Sequence, residues 1–413
     1  MKRFFLFWTF IALLVVPLNA QETITVMQYN LLEYGNYQSG FAECYETNNN
    51  TQRKDECIRI LMDYVKPDIL TVCEFGATQA LLNDFMRHNL NTNANIDYWK
   101  SDNIINYAHS NIINHIFYDS RKMELKKHVA LRTKPRDTDI YELYMKTPGL
   151  VSGDTVKLVC IVAHPKAGMG YHAERRALMQ TAMDYVNLHY GNDNVLIMGD
   201  FNMYSSSETG YQLLTRTYSN PDILFVDPLA GQGVGNWNAN SQFAQYHTQS
   251  TRRYSEECFS SGGLDDRFDF ILMSDEIYMG FNRIRYVNNT YHAVGNDGFH
   301  FDQSVNQNYN AAVPAEVAEA LYDASDHLPV TMKMTLYSQW DVEEHADKGL
   351  SVFPNPASGR LTVSINGDYR IANVMGQSLM TGTVNDGDID VSGLPAGIYF
   401  LSINGVTQKF VKQ

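Results

Sequence analysis

Eight side chains spread along most of the chain are suited to one kind of chemistry: Asn30, Glu74, His164, Asp200, Asn202, Asp269, Asp326 and His327. They offer carboxylate and amide oxygens, no thiolate cluster, and histidines too scattered for a zinc-binding helix motif. Such a donor set suits a hard cation, Mg²⁺ or Mn²⁺, better than Zn²⁺. An imidazole oriented by a carboxylate has its tautomer fixed and its charged form stabilised, so it can move a proton or donate a bond beside whatever the cation polarises. Taken singly, each residue has a plainer reading. Asp200 and Asn202 could bond only nearby backbone, Glu74 could be a surface carboxylate, His164 a satisfied strand-end imidazole and Asp269 a cross-strand partner.

What joins them is the kind of element that carries each one. Val195 to Met198 is a run of four apolar residues, too short for a helix and suited to a strand buried on both faces. Gly199 stops it, so its carboxyl end delivers Asp200 and Asn202 into a loop, and residues 205–208 have the spacing of a helix capping box. Residues 23–30 alternate as a strand ending on Asn30; residues 52–65 show helical spacing and Lys66-Pro67-Asp68 stops them. Residues 69–73 form a second buried strand ending in Glu74. A helix over 77–90 is followed by an expected strand pair, 111–119 and 123–131. Strands over 141–145 and 157–163 come next, the latter stopping at His164-Pro165. A helix over 174–188 leads into the Val195 strand, and residues 223–226 make a short buried segment. Residues 267–273 form a strand with Asp269 inside it. A short helix over 314–322 precedes Ser325-Asp326-His327, which opens a strand over 330–336. Residues 231–263 and 288–310 lack periodicity and read as long surface loops.

The whole chain of 413 residues is 44% hydrophobic, enough for a core and more than one domain. Residues 1–20 open with Lys2 and Arg3, run apolar through Pro17 and end on Asn19-Ala20, the pattern of a cleavable export signal. No other stretch is long and apolar enough to span a bilayer. The net charge of -14 excludes a general basic surface for polyanions. A phosphate-ester substrate would therefore need charge supplied locally, most simply by a divalent cation. Arg252, Arg253, Arg283 and Arg285 could line a groove for a phosphate backbone or form surface ion pairs. Of the five cysteines, Cys73 and Cys160 lie in strand-like runs and read as buried thiols. Cys44 and Cys57 flank a polar loop and could pair, and Cys258 has no assigned state.

The order and wording of these motifs resemble the endonuclease/exonuclease/phosphatase superfamily, which includes deoxyribonucleases, abasic-site endonucleases, sphingomyelinases and inositol polyphosphate phosphatases. Gly199-Asp200-Phe201-Asn202 and Ser325-Asp326-His327 carry the resemblance, supported by Pro67-Asp68-Ile69 leading to Glu74, with Cys73 where the family usually has Gln. The resemblance implies an α/β fold, a four-layered α/β/β/α sandwich of two mainly antiparallel sheets. It implies Glu74 as principal metal ligand, Asn30 beside it, and Asp326 binding or positioning a second ion. Asp200 and Asn202 would position phosphate and water, His164 would bond a non-bridging oxygen, and His327, oriented by Asp269, would be general base or transition-state donor. Family members differ on whether the His or the Asp takes the proton.

After a charged stretch come short β-rich segments, from Leu350-Ser351-Val352-Phe353-Pro354-Asn355-Pro356 to Leu394-Pro395-Ala396-Gly397-Ile398-Tyr399-Phe400 and Lys409-Phe410-Val411-Lys412. They resemble the type A C-terminal sorting domain of the Bacteroidetes type IX secretion route, itself a small β-sandwich; a β-sandwich binding module is the plainer reading. The expected organisation is thus a signal peptide at 1–20, a catalytic domain at 21–337, a linker at 338–348 and a sorting domain at 349–413. The expected function is a secreted or cell-surface, Mg²⁺- or Mn²⁺-dependent phosphodiesterase acting on nucleic acid, monomeric, exported by the type IX machinery and without a membrane segment in its mature form. A sphingomyelinase-like phospholipase, a phosphomonoesterase and a catalytically silent surface binding protein are the alternatives.

Overall fold

The computed structural model describes residues 21–36, 50–146, 155–215, 223–255, 259–337, 350–374, 377–385, 387–403 and 406–413. The expected signal peptide, the linker, Cys44 and Cys258 lie outside the described residues. In chain order the first part comprises β1 (Gln21–Tyr34), α1 (Thr51–Val65), β2 (Ile69–Gly76), α2 (Gln79–Phe85), β3 (Trp99–Lys100), β4 (Ile112–Asp119), β5 (Met123–Leu131), β6 (Thr138–Met145) and β7 (Lys157–Val162). There follow α3 (His172–His189), β8 (Asn194–Asp200), α4 (Thr209–Thr215), β9 (Phe225–Val226), β10 (Asp269–Ser274), α5 (Asp275–Met279), β11 (Ile284–Tyr286), β12 (His292–Ala293), α6 (Ala315–Ala324) and β13 (Val330–Tyr337).

Two sheets result. One has the order β11-β13-β1-β2-β4-β3, with β12 also on β13, and the other the order β5-β6-β7-β8-β10-β9. All pairings are antiparallel except β1 with β2 and β7 with β8. Period-two alternation in the second sheet divides two cores. Leu158, Cys160, Val162, Leu196, Met198, Ile271 and Met273 face the first sheet and the main core. Val159, Ile161, Val195, Ile197, Phe270 and Leu272 face outward and pack with Leu178, Met179 and Val186 of α3 and Leu214 of α4. On the far side, α1 and α6 lie together and contribute Ile58, Leu61, Val317 and Leu321 to the main core. The fold is the expected four-layered sandwich.

Several local expectations change, among them the surface position of 231–263 and 288–310, which bury Trp237, His247, Thr251 and Val305. Strands β4 and β5 follow each other but do not pair: β4 is buried throughout and takes β2 and β3 on its two edges, so β5 crosses to the edge of the other sheet, beside β6. The helix over 77–90 divides into α2 and a π-helical turn, Met86–Leu90. The capping box does not form, because the Glu208 carboxylate receives a bidentate pair of bonds from buried Arg175 (both 2.9 Å) and the Ser205 hydroxyl bonds Ser207. Cys57, Cys73 and Cys160 are free buried thiols.

The C-terminal part folds around its own apolar cluster. Strands β14 (Val352–Phe353), β15 (Arg360–Val363) and β18 (Asp388–Asp390) form one antiparallel sheet. Strands β16 (Gly367–Asn373), β17 (Ser378–Val384), β19 (Gly397–Ile403) and β20 (Val406–Lys412) form another. Leu361, Val363 and Ile389 of the first share a core with Ile371, Leu401 and Phe410 of the second.

Candidate active site

Strand direction brings the predicted residues to one end of the sandwich. The parallel pair β1 and β2 point the same way, as do β7 and β8, so Asn30, Glu74, His164 and Asp200 all sit toward carboxyl ends. Strands β10 and β13 run antiparallel to β8 and β1, and therefore contribute their beginnings: Asp269 is directly opposite Asp200, and Asp326-His327 precede Val330, which pairs Gln28. Local conformation then aims the side chains. Glu74 sits at an irregularity in the β2–β4 pairing, with φ 56, which turns its carboxylate toward the site instead of along the regular ladder. Gly199 has φ 146, and a Cβ there would lie 1.9 Å from the Ala163 carbonyl oxygen, so β7 and β8 can close on each other just below His164 and Asp200 only with glycine.

All eight residues form one network. Asn30 Nδ2 donates to Asp200 Oδ2 (2.9 Å) and Glu74 Oε1 (3.2 Å), while its Oδ1 accepts from Leu32 N–H. His164 Nε2 lies 3.3 Å from Asp200 Oδ2 and 3.7 Å from Glu74 Oε1. Asn202 N–H donates to Asp200 Oδ1 at 3.0 Å, and its side chain to the Pro165 carbonyl. His327 Nδ1 is 2.7 Å from Asp269 Oδ2, and its Nε2 faces Asp200 Oδ2 (3.6 Å) and Asp326 Oδ1 (3.9 Å). Asp326 Oδ2 accepts from Ser260 N–H, whereas Asp326 Oδ1 is buried without a hydrogen-bond partner.

The two histidines are driven apart. Burial, and then Arg136, push His164 toward its neutral form, against the pull of Asp200. Burial also disfavours a charged His327, but Asp269 and then Asp200 outweigh it and raise its pKa well above the ordinary value. Asp200 is held below the usual carboxylate range: burial opposes this, and His327 and His164 prevail. The same carboxylate is thus faced by one imidazole whose pKa is lowered and one whose pKa is raised, the kind of contrast that separates a hydrogen-bonding role from a proton-carrying one.

A hard cation fits this donor set. One ligand atom each of Glu74, His164 and Asp200 lies within 4.8 Å of the others, and the partnerless Asp326 Oδ1 is a further oxygen at the same end. As arranged, Asn30 turns its NH₂ toward Glu74 and Asp200, so it draws the two carboxylates together.

Several residues of the site carried no motif. Gln249, in the unpatterned loop after β9, places its side-chain Nε2 2.7 Å from His327 Nε2. Thr248 Oγ1 accepts from the Phe268 and Asp269 N–H groups, and Ser325 Oγ donates to the Asn30 carbonyl while accepting from His327 N–H. Lys54 is fully buried on α1 and donates to the carbonyls of Leu31 and Leu32 (2.6 and 2.7 Å), just beyond Asn30. Its signal was present: it falls on the same helical stripe as Cys57, Ile58 and Leu61. Two of the four arginines are buried, and Arg252 pairs with Asp323 at 3.4 Å. Arg252 is buried between the rings of Phe259 and Tyr322, and Arg283 is buried and bonds the Thr155 carbonyl.

Fold and site together define a phosphoesterase of the metal-using kind. The sequence profile of the Endonuclease/Exonuclease/phosphatase family matches residues 27–327, and the chain belongs to that family. The profile of the Secretion system C-terminal sorting domain matches residues 351–413, which marks the chain for type IX secretion to the cell surface or exterior. No curated protein matches the sequence. Among solved structures, the chain is similar to an endonuclease/exonuclease/phosphatase from Bacteroides vulgatus (15% identity, TM-score 0.47, covering 76% of this chain and 99% of that one). It is also similar to a humanised D. rerio TDP2 (11%, 0.46, 76% and 98%) and to the human Nocturnin catalytic domain with bound sulfate (14%, 0.44, 76% and 94%). Enzymes of the family use divalent metals, and the Glu74, His164 and Asp200 group could hold one. Among the described residues, no helix is long and apolar enough to cross a membrane.

Proposed function

We propose that the chain is a secreted or surface-held phosphodiesterase that hydrolyses nucleic acid with the help of Mg²⁺ or Mn²⁺. The observation that carries this reading is the linked set of eight side chains at one end of the sandwich. Residues 1–20 would direct export, 21–337 would be the catalytic unit, and 349–413 the sorting domain after the linker at 338–348.

Glu74 is the principal metal ligand in this reading, with Asn30 beside it and Asp326 offering a further oxygen. A divalent ion bound there would withdraw charge from the phosphoryl oxygens and lower the pKa of a coordinated water. Asp200 and Asn202 orient the phosphate and the attacking water. His164, kept neutral by burial, donates a hydrogen bond to a non-bridging oxygen. His327, held through Nδ1 by Asp269, presents Nε2 to the reacting oxygens and carries the proton. A net charge of -14 favours gripping the ester at the scissile phosphate over holding a polyanion backbone.

The mature chain, assayed with Mg²⁺ against duplex DNA, single-stranded DNA, RNA, sphingomyelin, bis(p-nitrophenyl) phosphate and a phosphomonoester, should cleave the nucleic acids and the diester. EDTA should abolish turnover and added Mg²⁺ restore it. Cleavage confined to the monoester would overturn the phosphodiesterase reading, and cleavage confined to sphingomyelin would replace nucleic acid by lipid.

A further inference from the structure

We infer that Gln249 is a positioning residue that caps the reacting nitrogen of His327 in the ligand-free protein and must yield that position to a phosphoryl oxygen. The inference rests on the phosphoesterase reading of the same site. His327 Nδ1 is committed to Asp269 at 2.7 Å, which leaves Nε2 to meet the substrate. The hydrogen-bond position at Nε2 is taken by the Gln249 amide at 2.7 Å, while the Asp200 and Asp326 oxygens, at 3.6 and 3.9 Å, lie beyond hydrogen-bond reach. An imidazole nitrogen has one in-plane direction for a strong hydrogen bond, so oxygen and amide compete for it.

The surrounding backbone is built to hold this side chain there and to let it turn. Gln249 N–H donates to the Asp266 carbonyl (3.1 Å), and its own carbonyl accepts from Asp265 and Asp266 (2.8 and 2.9 Å). On either side, Thr248 is bonded to the start of β10 and to Leu328 N–H, and Thr251 N–H donates to the Asp326 carbonyl. The loop is thus stitched to both Asp269 and the Asp326-His327 segment. Gln249 itself is only partly buried. Glutamine is also the side chain whose single amide can serve either form of its partner, the NH₂ donating to a bare Nε2 and the carbonyl accepting from a protonated one. It therefore keeps the ring in plane without fixing where the proton is.

Two measurements test this on the mature chain with Mg²⁺: binding of inorganic phosphate by calorimetry, and hydrolysis of bis(p-nitrophenyl) phosphate. Gln249→Ala should bind phosphate at least threefold more tightly than wild type and lower KM by a similar factor, with kcat within about twofold. Gln249→Glu, whose carboxylate pairs with His327 and repels the anion, should weaken phosphate binding and raise KM tenfold or more. Gln249→Asn, too short to reach Nε2 from the same fixed backbone, should resemble the alanine variant. A thermal midpoint equal to wild type in all three would exclude a general loosening. If Gln249→Ala leaves both phosphate affinity and KM unchanged, or lowers kcat with KM fixed, the capping role is wrong. Wild-type protein that binds phosphate but hydrolyses no diester would sink the phosphodiesterase reading alone, and the phosphate titration would still decide Gln249. Wild-type protein that does not bind phosphate would overturn both.

Discussion

At the scale of single residues, the site works because burial and pairing assign different states to groups of the same type. His164 and His327 both face Asp200, but His164 has Arg136 behind it and no carboxylate on Nδ1, whereas His327 has Asp269 there. Replacing His327 by alanine should therefore lower kcat by about a hundredfold or more, on the order of 3 kcal/mol in barrier, while thermal unfolding stays close to wild type. Steady-state kinetics on a diester with a parallel melting curve measures both. The eight residues of the network were legible one by one because each sits in a short motif or at the end of an apolar run. Gln249 was not legible. It lies in a stretch without periodicity, and its proximity to His327 arises from its backbone bonds to Asp265 and Asp266 and from that of Thr251 to Asp326, which no local pattern encodes.

At the scale of elements, the close approach of β7 and β8 is the step on which the site depends. Gly199→Ala would drive a methyl group into the Ala163 carbonyl at 1.9 Å and force an unfavourable φ. The expected cost is about 3 kcal/mol or more, read as a fall in denaturation midpoint, with activity lost before the fold because His164 and Asp200 flank the contact. A second element-level effect is electrostatic. Asp139 of β6 is fully buried, and burial raises its pKa from 3.8 to about 6, against the pull of His128. The folded state then holds this proton more tightly than the unfolded one, so its contribution is present below pH 3.8 and is lost as pH rises through about 6. Wild type should lose on the order of 3 kcal/mol from this group across that window, and Asp139→Asn should flatten that part of the curve of unfolding free energy against pH. An unchanged slope in the variant would assign the pH dependence to other groups. The β4–β5 crossover, in contrast, was misread from sequence because adjacent strands with a short turn ordinarily pair. The choice was made by edge availability, which is a property of the sheet and not of the turn.

At the scale of the whole molecule, the chain has separable cores. Among the described residues, the C-terminal cluster built on Leu361, Ile371, Leu401 and Phe410 begins at Leu350, and the two clusters of the sandwich contain nothing beyond Leu336. Among the described residues, one ion pair joins the two parts, between Lys409 Nζ and Asp275 Oδ2 at 2.6 Å. A chain ending at residue 337 should consequently fold, melt within about 4 °C of the sandwich transition of the full-length protein, and keep its kcat/KM. What it should lose is export, which fractionation of cells making both forms would detect. A truncated chain that fails to fold would show that the sorting domain completes the catalytic unit.

Sequence by itself determined the layers and the chemistry. Apolar runs and helical stripes decide which faces are buried, and short motifs beside strand ends reveal which acids, amides and imidazoles are available, because both are local consequences of residue type and spacing. Only the tertiary structure decided which of those groups meet, at what distance, and which is charged. Strand order and direction gather residues from distant parts of the chain to one end of the sandwich. Desolvation and neighbouring charge then depend on that gathering, so neither the opposite pKa shifts of His164 and His327 nor the amide of Gln249 against Nε2 could be read before the chain was folded.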